Sequence, residues 1–313
     1  MRYRLEYLLV LLVSGLVRLM PMSLVRSVGA SLGRFVYAID VPHRRIALEN
    51  LRAAFPGRPA AEHRAVARSM FAHFGSLLLE LLKFGGYSRE QMLAAVETEG
   101  EERARQARQQ GRGILFFTGH FGYWEMQAIA HPLRHHPNAV LARPLDNPFL
   151  HRLLERIRTS TGNTVIYRQG AVRKMLRELA SNGGIALLID QHLHTPDAIY
   201  VDFFQRPAAT TSALAALALR TGAVVIPVFA LPLPGGRYRL IYEHPVDPPR
   251  ADTPDAIREF TQRCTDVLEM YVRRHPEMWL WMHRRWRDRG PEPALDAALD
   301  ESPDGPAEAD ADA

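Results

Sequence analysis

The feature that most constrains this chain is the alternation of short apolar segments with amphipathic ones from residue 112 onward. The apolar segments are rich in β-branched residues, which is typical of strands buried on both faces. They are Ile114–Phe117, Ala139–Leu141, Thr164–Tyr167, Ile185–Ile189 and Val224–Phe229. The segments between them have helical periodicity, at 123–134, 147–161, 171–181 and 210–221. The pattern predicts an α/β fold with a mixed, mainly parallel sheet covered by helices.

Two segments near the C-terminus extend this prediction. Tyr238–Tyr242 follows a Pro-Gly-Gly turn and is predicted to be an antiparallel strand. Residues 255–275 form an amphipathic pattern whose apolar stripe contains Cys264, so this thiol is predicted to lie in the core. Since Cys264 is the single cysteine, the chain cannot form an intramolecular disulfide.

The N-terminal 40 residues have a different character. Residues 7–17 are an apolar run bounded by Glu6 and Arg18, shorter than the roughly 20 residues that span a bilayer. Apolar residues continue to Phe35 with arginines interspersed, which predicts membrane-anchoring helices over 1–40 that lie in the interface. A signal peptide and a buried core helix are the alternatives, although no clear cleavage site follows the apolar run.

Charge is distributed unevenly along the chain. There are 39 Lys and Arg against 34 Asp and Glu, and eight of these acids follow Arg289, where no basic residue occurs. The body before this tail is therefore basic, and we predict a main domain over 41–289 and a disordered acidic tail over 290–313. A basic body suits an anionic membrane, a phosphorylated substrate or an acidic protein, whereas no motif for nucleic acid is recognisable.

A histidine and a carboxylate follow a predicted strand, at the position where α/β enzymes carry their active-site residues. His120 follows the strand Ile114–Phe117 in a Gly-flanked turn, and Glu125 lies at the start of the next helical segment. The same spacing recurs at His192/Asp197 and His283/Asp288, without that context. Because sites of open α/β sheets lie at the carboxyl ends of strands, we predict His120 as a general base oriented by Glu125. The alternative is a histidine that merely satisfies a strand end.

Four more polar residues are candidates for substrate binding. Arg143 and Asp190 each follow a strand, Asn147 begins the helix after Arg143, and Arg158 lies late in that helix. Arginine forms bidentate contacts with phosphate. Asn147 has helix capping as its alternative role, Asp190 has bracing of a loop, and each arginine has a solvent-exposed position.

Two further clusters are candidates for a metal site and for a membrane contact. His192 and His194, with Asp197 and Asp202, lack a convincing third ligand spacing, so no metal is predicted. Near the C-terminus, three tryptophans alternate with basic residues, which favours a membrane interface. This cluster consists of Trp279, Trp281, Trp286, His283, Arg284 and Arg285.

Over residues 1–290 the chain resembles the late acyltransferases of lipid A biosynthesis, the lauroyl/myristoyl transferase group of the lysophospholipid acyltransferase superfamily. The resemblance rests on ordered motifs at compatible spacing. They are Arg45…Asn50-Leu51…Phe55-Pro56, His120-x4-Glu125, Arg143-Pro-x-Asp-Asn-Pro148, Arg158, Asp190-Gln191, Phe203-Phe204, Ala209-Thr-Thr211 and Pro276-Glu…Trp281-x-His283-Arg-Arg285. His192 departs from the pattern, because an acidic residue often follows this Asp-Gln pair in the family.

The resemblance implies a membrane-associated O-acyltransferase at the cytoplasmic face of the inner membrane. Its donor would be an acyl thioester on acyl carrier protein, and its acceptor a hydroxyl of a lipid A precursor. His120 would match the general base and Glu125 its partner. Arg143, Asn147 and Arg158 would match positions around the phosphorylated acceptor. No cofactor is implied.

Three alternatives remain open at this stage. The acceptor could be another glycolipid, as in the phosphatidylinositol mannoside branch of the superfamily. A serine hydrolase is disfavoured because the chain has no Gly-x-Ser-x-Gly elbow. A non-catalytic peripheral lipid-binding protein would require that His120 be dispensable.

Overall fold

The structure is a computed structural model that describes residues 1–167, 170–193 and 198–287. Two strands form a separate antiparallel hairpin, and the other seven form one sheet in the order β1-β9-β8-β2-β5-β3-β4. The strands are Val96–Glu99 (β1), Ile114–Thr118 (β2), Asn138–Ala142 (β3), Thr164–Tyr167 (β4), Gly184–Leu188 (β5), Ala198–Asp202 (β6), Pro207–Thr211 (β7), Val224–Leu233 (β8) and Arg237–Tyr242 (β9). The predicted tail at 290–313 lies outside the described residues.

Helices cover both faces of the sheet. They are Arg2–Leu19 (α1), Met22–Ile39 (α2), Val41–Ala54 (α3), Ala60–Phe84 (α4), Arg89–Ala95 (α5), Glu101–Gln109 (α6), Trp124–Arg134 (α7), Pro148–Thr159 (α8), Ala171–Ala180 (α9), Ala213–Thr221 (α10) and Pro254–Arg274 (α11). The central strand β2 supplies Leu115 and Phe117 to one apolar core and Ile114 and Phe116 to the other. This period of two explains why the consecutive residues Ile114–Phe117 of β2 are all apolar.

Neighbouring strands of the main sheet are parallel except β8 and β9. The predicted mixed, mainly parallel sheet is therefore confirmed, including the antiparallel strand at Tyr238–Tyr242. The sequence did not indicate β1, whose residues Val-Glu-Thr-Glu form a polar edge strand. It also did not indicate the β6–β7 hairpin, and β7 occupies the start of the segment predicted as the helix 210–221.

Helix α2 is joined closely to the longest helix of the structure, α4. A Cβ on Gly33 would lie 2.0 Å from the Phe71 carbonyl oxygen, and one on Gly75 would lie 2.2 Å from that of Gly29. The backbones therefore touch where larger residues would keep them apart. The division at residue 40 between anchoring helices and domain stays a prediction, but α2 shares a packed interface with α4.

The outer faces of α1 and α2 expose a continuous series of large apolar side chains. They are Leu5, Leu8, Leu9, Leu12, Leu16 and Leu19 on α1, and Leu24, Val28, Leu32, Phe35 and Ile39 on α2. Within the described ranges, only α4 is long and apolar enough to cross a membrane by length and composition, and most of it is buried among other helices. The exposed apolar residues lie instead along the sides of α1 and α2.

Candidate active site

The local backbone presents His120 at the carboxyl end of β2, between that strand and α7. A Cβ on Gly119 would lie 2.9 Å from Asp190 Oδ2, so glycine allows the strand end to approach this carboxylate. Gly122 has a φ of +56°, and a Cβ there would lie 2.3 Å from the Ala230 carbonyl oxygen. Both glycines of the predicted turn are therefore required by the close approach of neighbouring elements.

The carboxylate that holds His120 belongs to Asp190, at the end of the neighbouring strand β5. His120 Nδ1 lies 2.8 Å from Asp190 Oδ1, and the His120 backbone N–H donates to Oδ2 at 2.6 Å. Trp279 Nε1 also donates to Oδ2, at 2.8 Å, and His283 Nε2 lies 3.1 Å from the Asp190 carbonyl oxygen. Asp190 is fully buried, and both of its carboxylate oxygens are engaged by His120 or Trp279. Its predicted role in substrate binding stays a prediction.

Charge in this pair favours an ionised carboxylate beside a basic imidazole. Burial alone raises the pKa of Asp190, but the charge and hydrogen bonds of His120, with a contribution from His283, hold it well below its usual range. Burial alone lowers the pKa of His120, but Asp190 and then Glu125 raise it above its ordinary value. With Nδ1–H donating to Asp190, the remaining nitrogen, Nε2, is the one that can accept a proton.

Glu125 makes a different contact from the one expected. It forms a bidentate ion pair with Arg158 of α8, with Arg158 Nε donating to Oε2 at 2.8 Å and Nη2 donating to Oε1. Glu125 lies in the first turn of α7, and its side chain points across to α8 while His120 Nδ1 faces β5. The orienting contact assigned to Glu125 from sequence is thus made by Asp190, and Glu125 acts on His120 through its charge.

The other ring nitrogen of His120, Nε2, lies beside Trp124 and Gln191. The His120 side chain is 14% exposed, and the Trp124 ring stands edge-on to it at a centroid distance of 5.3 Å. The Gln191 side-chain nitrogen lies 3.4 Å from Nε2, which is beyond a normal hydrogen-bond length. A reacting hydroxyl could replace Gln191 at this position.

Two predicted substrate residues lie away from this pair. Arg143 is 90% exposed beyond the end of β3 and has only a 4.0 Å contact with Asp146. Asn147 is buried and caps α8, since its amide oxygen accepts from the Phe149 and Leu150 backbone N–H groups. Its amide nitrogen donates to the Tyr3 carbonyl oxygen and to Glu6. Asn147 therefore ties α1 to α8, and its predicted contact with substrate stays a prediction.

The aromatic segment near the C-terminus is part of the site. Trp279 and Trp281 are completely buried, which corrects the expectation that they lie at a membrane surface. Phe121 and Trp279 form an isolated β-bridge, so this segment is fixed directly to the His120 turn. Arg285 is also buried and donates to the Ala209 carbonyl oxygen at 2.6 Å, which holds the β6–β7 hairpin. The closeness of Trp279 and Trp281 to His283 in the sequence indicated a cluster, but it could not show whether these side chains are buried or exposed.

A buried polar cluster joins the turn that carries His120 to the N-terminal helices. Glu80 of α4 is completely buried and accepts hydrogen bonds from Tyr123 at 2.7 Å, from Tyr238, and from Arg26 Nε at 3.0 Å. Tyr123 lies three residues after His120, and Arg26 lies on α2. Sequence reasoning did not single out Glu80, because a lone acid in an apolar helical run gives no indication of its partners.

The described ranges contain no group of three or more His, Cys, Asp or Glu residues that could hold a metal ion. Of the residues considered for such a site, His194 and Asp197 lie outside these ranges. Asp202 instead makes backbone contacts with the Gln262 side chain of α11.

Comparison with known proteins gives the class of this chain. It is 26% identical over 273 residues to the lipid A biosynthesis lauroyltransferase of Escherichia coli, covering 86% of this chain and 87% of that protein. It is 25% identical over 263 residues to the myristoyltransferase of the same organism, covering 84% and 80%. It is also 23% identical to the phosphatidylinositol mannoside acyltransferase of Mycolicibacterium smegmatis, covering 87% and 88%. These relatives are acyltransferases, and so is this protein.

A family model also matches almost the whole chain. The model of the bacterial lipid A biosynthesis acyltransferase family matches residues 1–288, and the chain belongs to that family. The match includes α1 and α2 as well as the sheet, so the N-terminal helices are part of the shared architecture.

Proposed function

We propose that this protein transfers a fatty acyl group from an acyl thioester to a hydroxyl of a lipid A precursor, with His120 as general base. The observation that carries the proposal is the contact between His120 Nδ1 and the buried Asp190, which leaves Nε2 as the nitrogen that can accept a proton. Family membership and the names of the relatives support the acceptor.

The proposed reaction needs no covalent enzyme intermediate. Nε2 of His120 removes the proton from the acceptor hydroxyl as the oxygen attacks the thioester carbonyl, and Asp190 stabilises the imidazolium. The tetrahedral intermediate collapses with cleavage of the carbon–sulfur bond, and the imidazolium gives its proton to the departing thiolate. One ester forms, one thioester is lost, and His120 returns to its neutral state.

Arg158 is the strongest candidate to stabilise the oxyanion of that intermediate. The N–H groups of His120, Gly122 and Tyr123 already donate to Asp190, Met278 and Ala230. Arg158 uses Nε and Nη2 on Glu125, which leaves Nη1 available, and an ionised guanidinium is an effective donor to developing negative charge. In this proposal Glu125 positions Arg158, and the exposed Arg143 is free to meet a phosphate of the acceptor.

Membrane association and the donor are supported by the surface. The apolar faces of α1 and α2 would lie in the inner membrane at its cytoplasmic face, where an acylated acceptor is found. The excess of Arg and Lys before the acidic tail favours an acidic donor such as acyl carrier protein.

The test is acyl transfer from radiolabelled acyl carrier protein to a tetra-acylated lipid A precursor in detergent micelles. Wild type is compared with His120→Ala and with His244→Ala, a control that removes an exposed histidine on another part of the surface. We expect transfer by wild type and the control and its near-loss in His120→Ala.

Two outcomes separate the alternatives. Transfer to a phosphatidylinositol mannoside and none to the lipid A precursor would replace the acceptor, a possibility favoured by the mycobacterial relative. Full transfer by His120→Ala would refute the general-base role and leave a lipid-binding function to be tested.

A further inference from the structure

A cavity with a volume of about 490 Å³ lies at the edge of the sheet opposite to His120. Its walls include Ile114, Asn138 and Gly184, which are the first residues of β2, β3 and β5. Because these strands are parallel and His120 follows the last residue of β2, the cavity is separate from the proposed active site. The volume is within the range of small-molecule sites.

Arginines from two helices converge on this cavity. Arg105 and Arg108 lie on α6 and Arg134 on α7, and no lining residue is acidic. Arg108 is half-buried, and its guanidinium has no hydrogen-bond or ion-pair partner in the part of the chain that is described. Arg105 has only a 3.7 Å contact with Glu101. Positive charge is therefore gathered here without compensation from the cavity walls.

Two stacked imidazoles form the inner wall. His131 and His135 lie with ring centroids 4.9 Å apart, and His131 Nδ1 lies 2.8 Å from the Tyr242 hydroxyl oxygen. His135 Nε2 is buried and has no hydrogen-bond partner among the described residues. Burial is the largest cause that lowers the pKa of both histidines, and neighbouring positive groups lower it further, whereas Glu101 raises the pKa of His135. His135 therefore keeps a buried ring nitrogen whose hydrogen-bonding capacity is unused by the described residues.

We infer that this cavity binds a small phosphate-bearing anion beside His135, with Arg108 and Arg134 as its cationic ligands. Guanidinium groups suit phosphate because they present parallel N–H donors. A bound anion would also supply the negative charge that the walls lack. The site is independent of the acyl-transfer reaction, and its ligand is not a substrate at His120.

Calorimetric titration of the full chain with pyrophosphate, inorganic phosphate and acetate tests this inference. We expect pyrophosphate to bind more tightly than phosphate and acetate not to bind. Each of Arg108→Gln and Arg134→Gln should weaken pyrophosphate binding by about tenfold, because a charge-assisted hydrogen bond is lost. Arg258→Gln, which removes an exposed arginine of α11, is the matched control and should leave binding unchanged.

A second measurement uses only the wild-type protein. An anion beside His135 stabilises its protonated form, so saturating pyrophosphate should raise the pKa of His135 measured by NMR titration. An unchanged His135 pKa, or equal affinity in wild type and the Arg108→Gln/Arg134→Gln double variant, would overturn the inference. Neither readout depends on acyl transfer, so failure here is distinguishable from failure of the proposed function.

Discussion

At the scale of single residues, two carboxylates near His120 have separate tasks. Asp190 fixes the imidazole through Nδ1, whereas Glu125 holds Arg158 and influences His120 only through its charge. Neutral substitutions at Asp190 and Glu125 each remove one negative charge, but their main effects should differ. The first should change the rate and its pH dependence, and the second should change the stability of the protein.

Asp190→Asn should reduce kcat by about 10²–10⁴-fold, because an asparagine that donates to Nδ1 favours the tautomer with Nε2 protonated. It should also shift the acid limb of the pH profile. The pKa of His120 is raised by Asp190, and the neutral base is the active form, so wild-type activity should rise with pH through a value above the ordinary 6.5 of histidine. Because Asp190→Asn removes the carboxylate charge, it should lower the pKa of His120.

The measurement is kcat/KM against pH for the wild type and for Asp190→Asn. The acid limb of the variant should lie at lower pH. A limb that stays in place, or moves to higher pH, would contradict the assignment of Asp190 as the group that sets the His120 pKa.

Glu125→Gln should destabilise the protein by about 3 kcal/mol, because the largely buried Arg158 loses its counter-charge. The double variant Glu125→Gln/Arg158→Met should recover most of that stability, as measured by urea unfolding. If the recovered protein remains inactive, the pair has a role in the reaction. If its activity also returns, the pair is structural and Arg158 does not stabilise the oxyanion.

At the scale of elements, the contact between α2 and α4 depends on glycine. Gly33→Ala should lower the unfolding temperature, since the added Cβ would lie 2.0 Å from the Phe71 carbonyl oxygen. Gly15→Ala in α1 is the control, because nothing lies within 4 Å of its Cβ position and alanine favours a helix. Thermal unfolding in detergent should show opposite shifts for the two variants. Equal shifts would mean that the close contact contributes nothing to stability.

The apolar face of α2 gives a prediction about membranes. Phe35→Asp/Ile39→Asp should reduce binding to lipid vesicles by at least about tenfold, because two large side chains no longer enter the interface. Leu145→Asp/Val172→Asp changes two exposed apolar residues elsewhere and should leave binding intact. Co-sedimentation with vesicles measures both, and equal losses would indicate a nonspecific effect of charge.

The elements show how far sequence reasoning reaches. The central strands were predicted because strands buried on both faces are apolar throughout, and β2 is buried at every position. β1 was not predicted, since an edge strand with polar residues resembles a loop. Likewise, the position of His120 followed from the strand–turn–helix pattern. Its partner did not, because Asp190 lies 70 residues away on a strand whose adjacency to β2 is a property of sheet topology.

At the scale of the whole molecule, the basic body should guide an acidic donor. We expect kcat/KM with acyl carrier protein as donor to fall steeply with salt concentration, because long-range attraction is screened. With an uncharged acyl pantetheine as donor the value should change little. Parallel assays across salt concentrations measure both, and the same dependence for the two donors would mean that charge does not recruit the donor.

The cluster around Glu80 has a mechanical consequence. Through Glu80, Arg26 on α2 and Tyr123 beside the His120 turn share one buried carboxylate. Glycines also bring the backbones of α2 and α4 into direct contact. If α2 rests in the bilayer surface as proposed, the height of His120 above the lipid is set by the fold itself. The enzyme would then acylate only those hydroxyl groups that lie at one distance from the membrane surface.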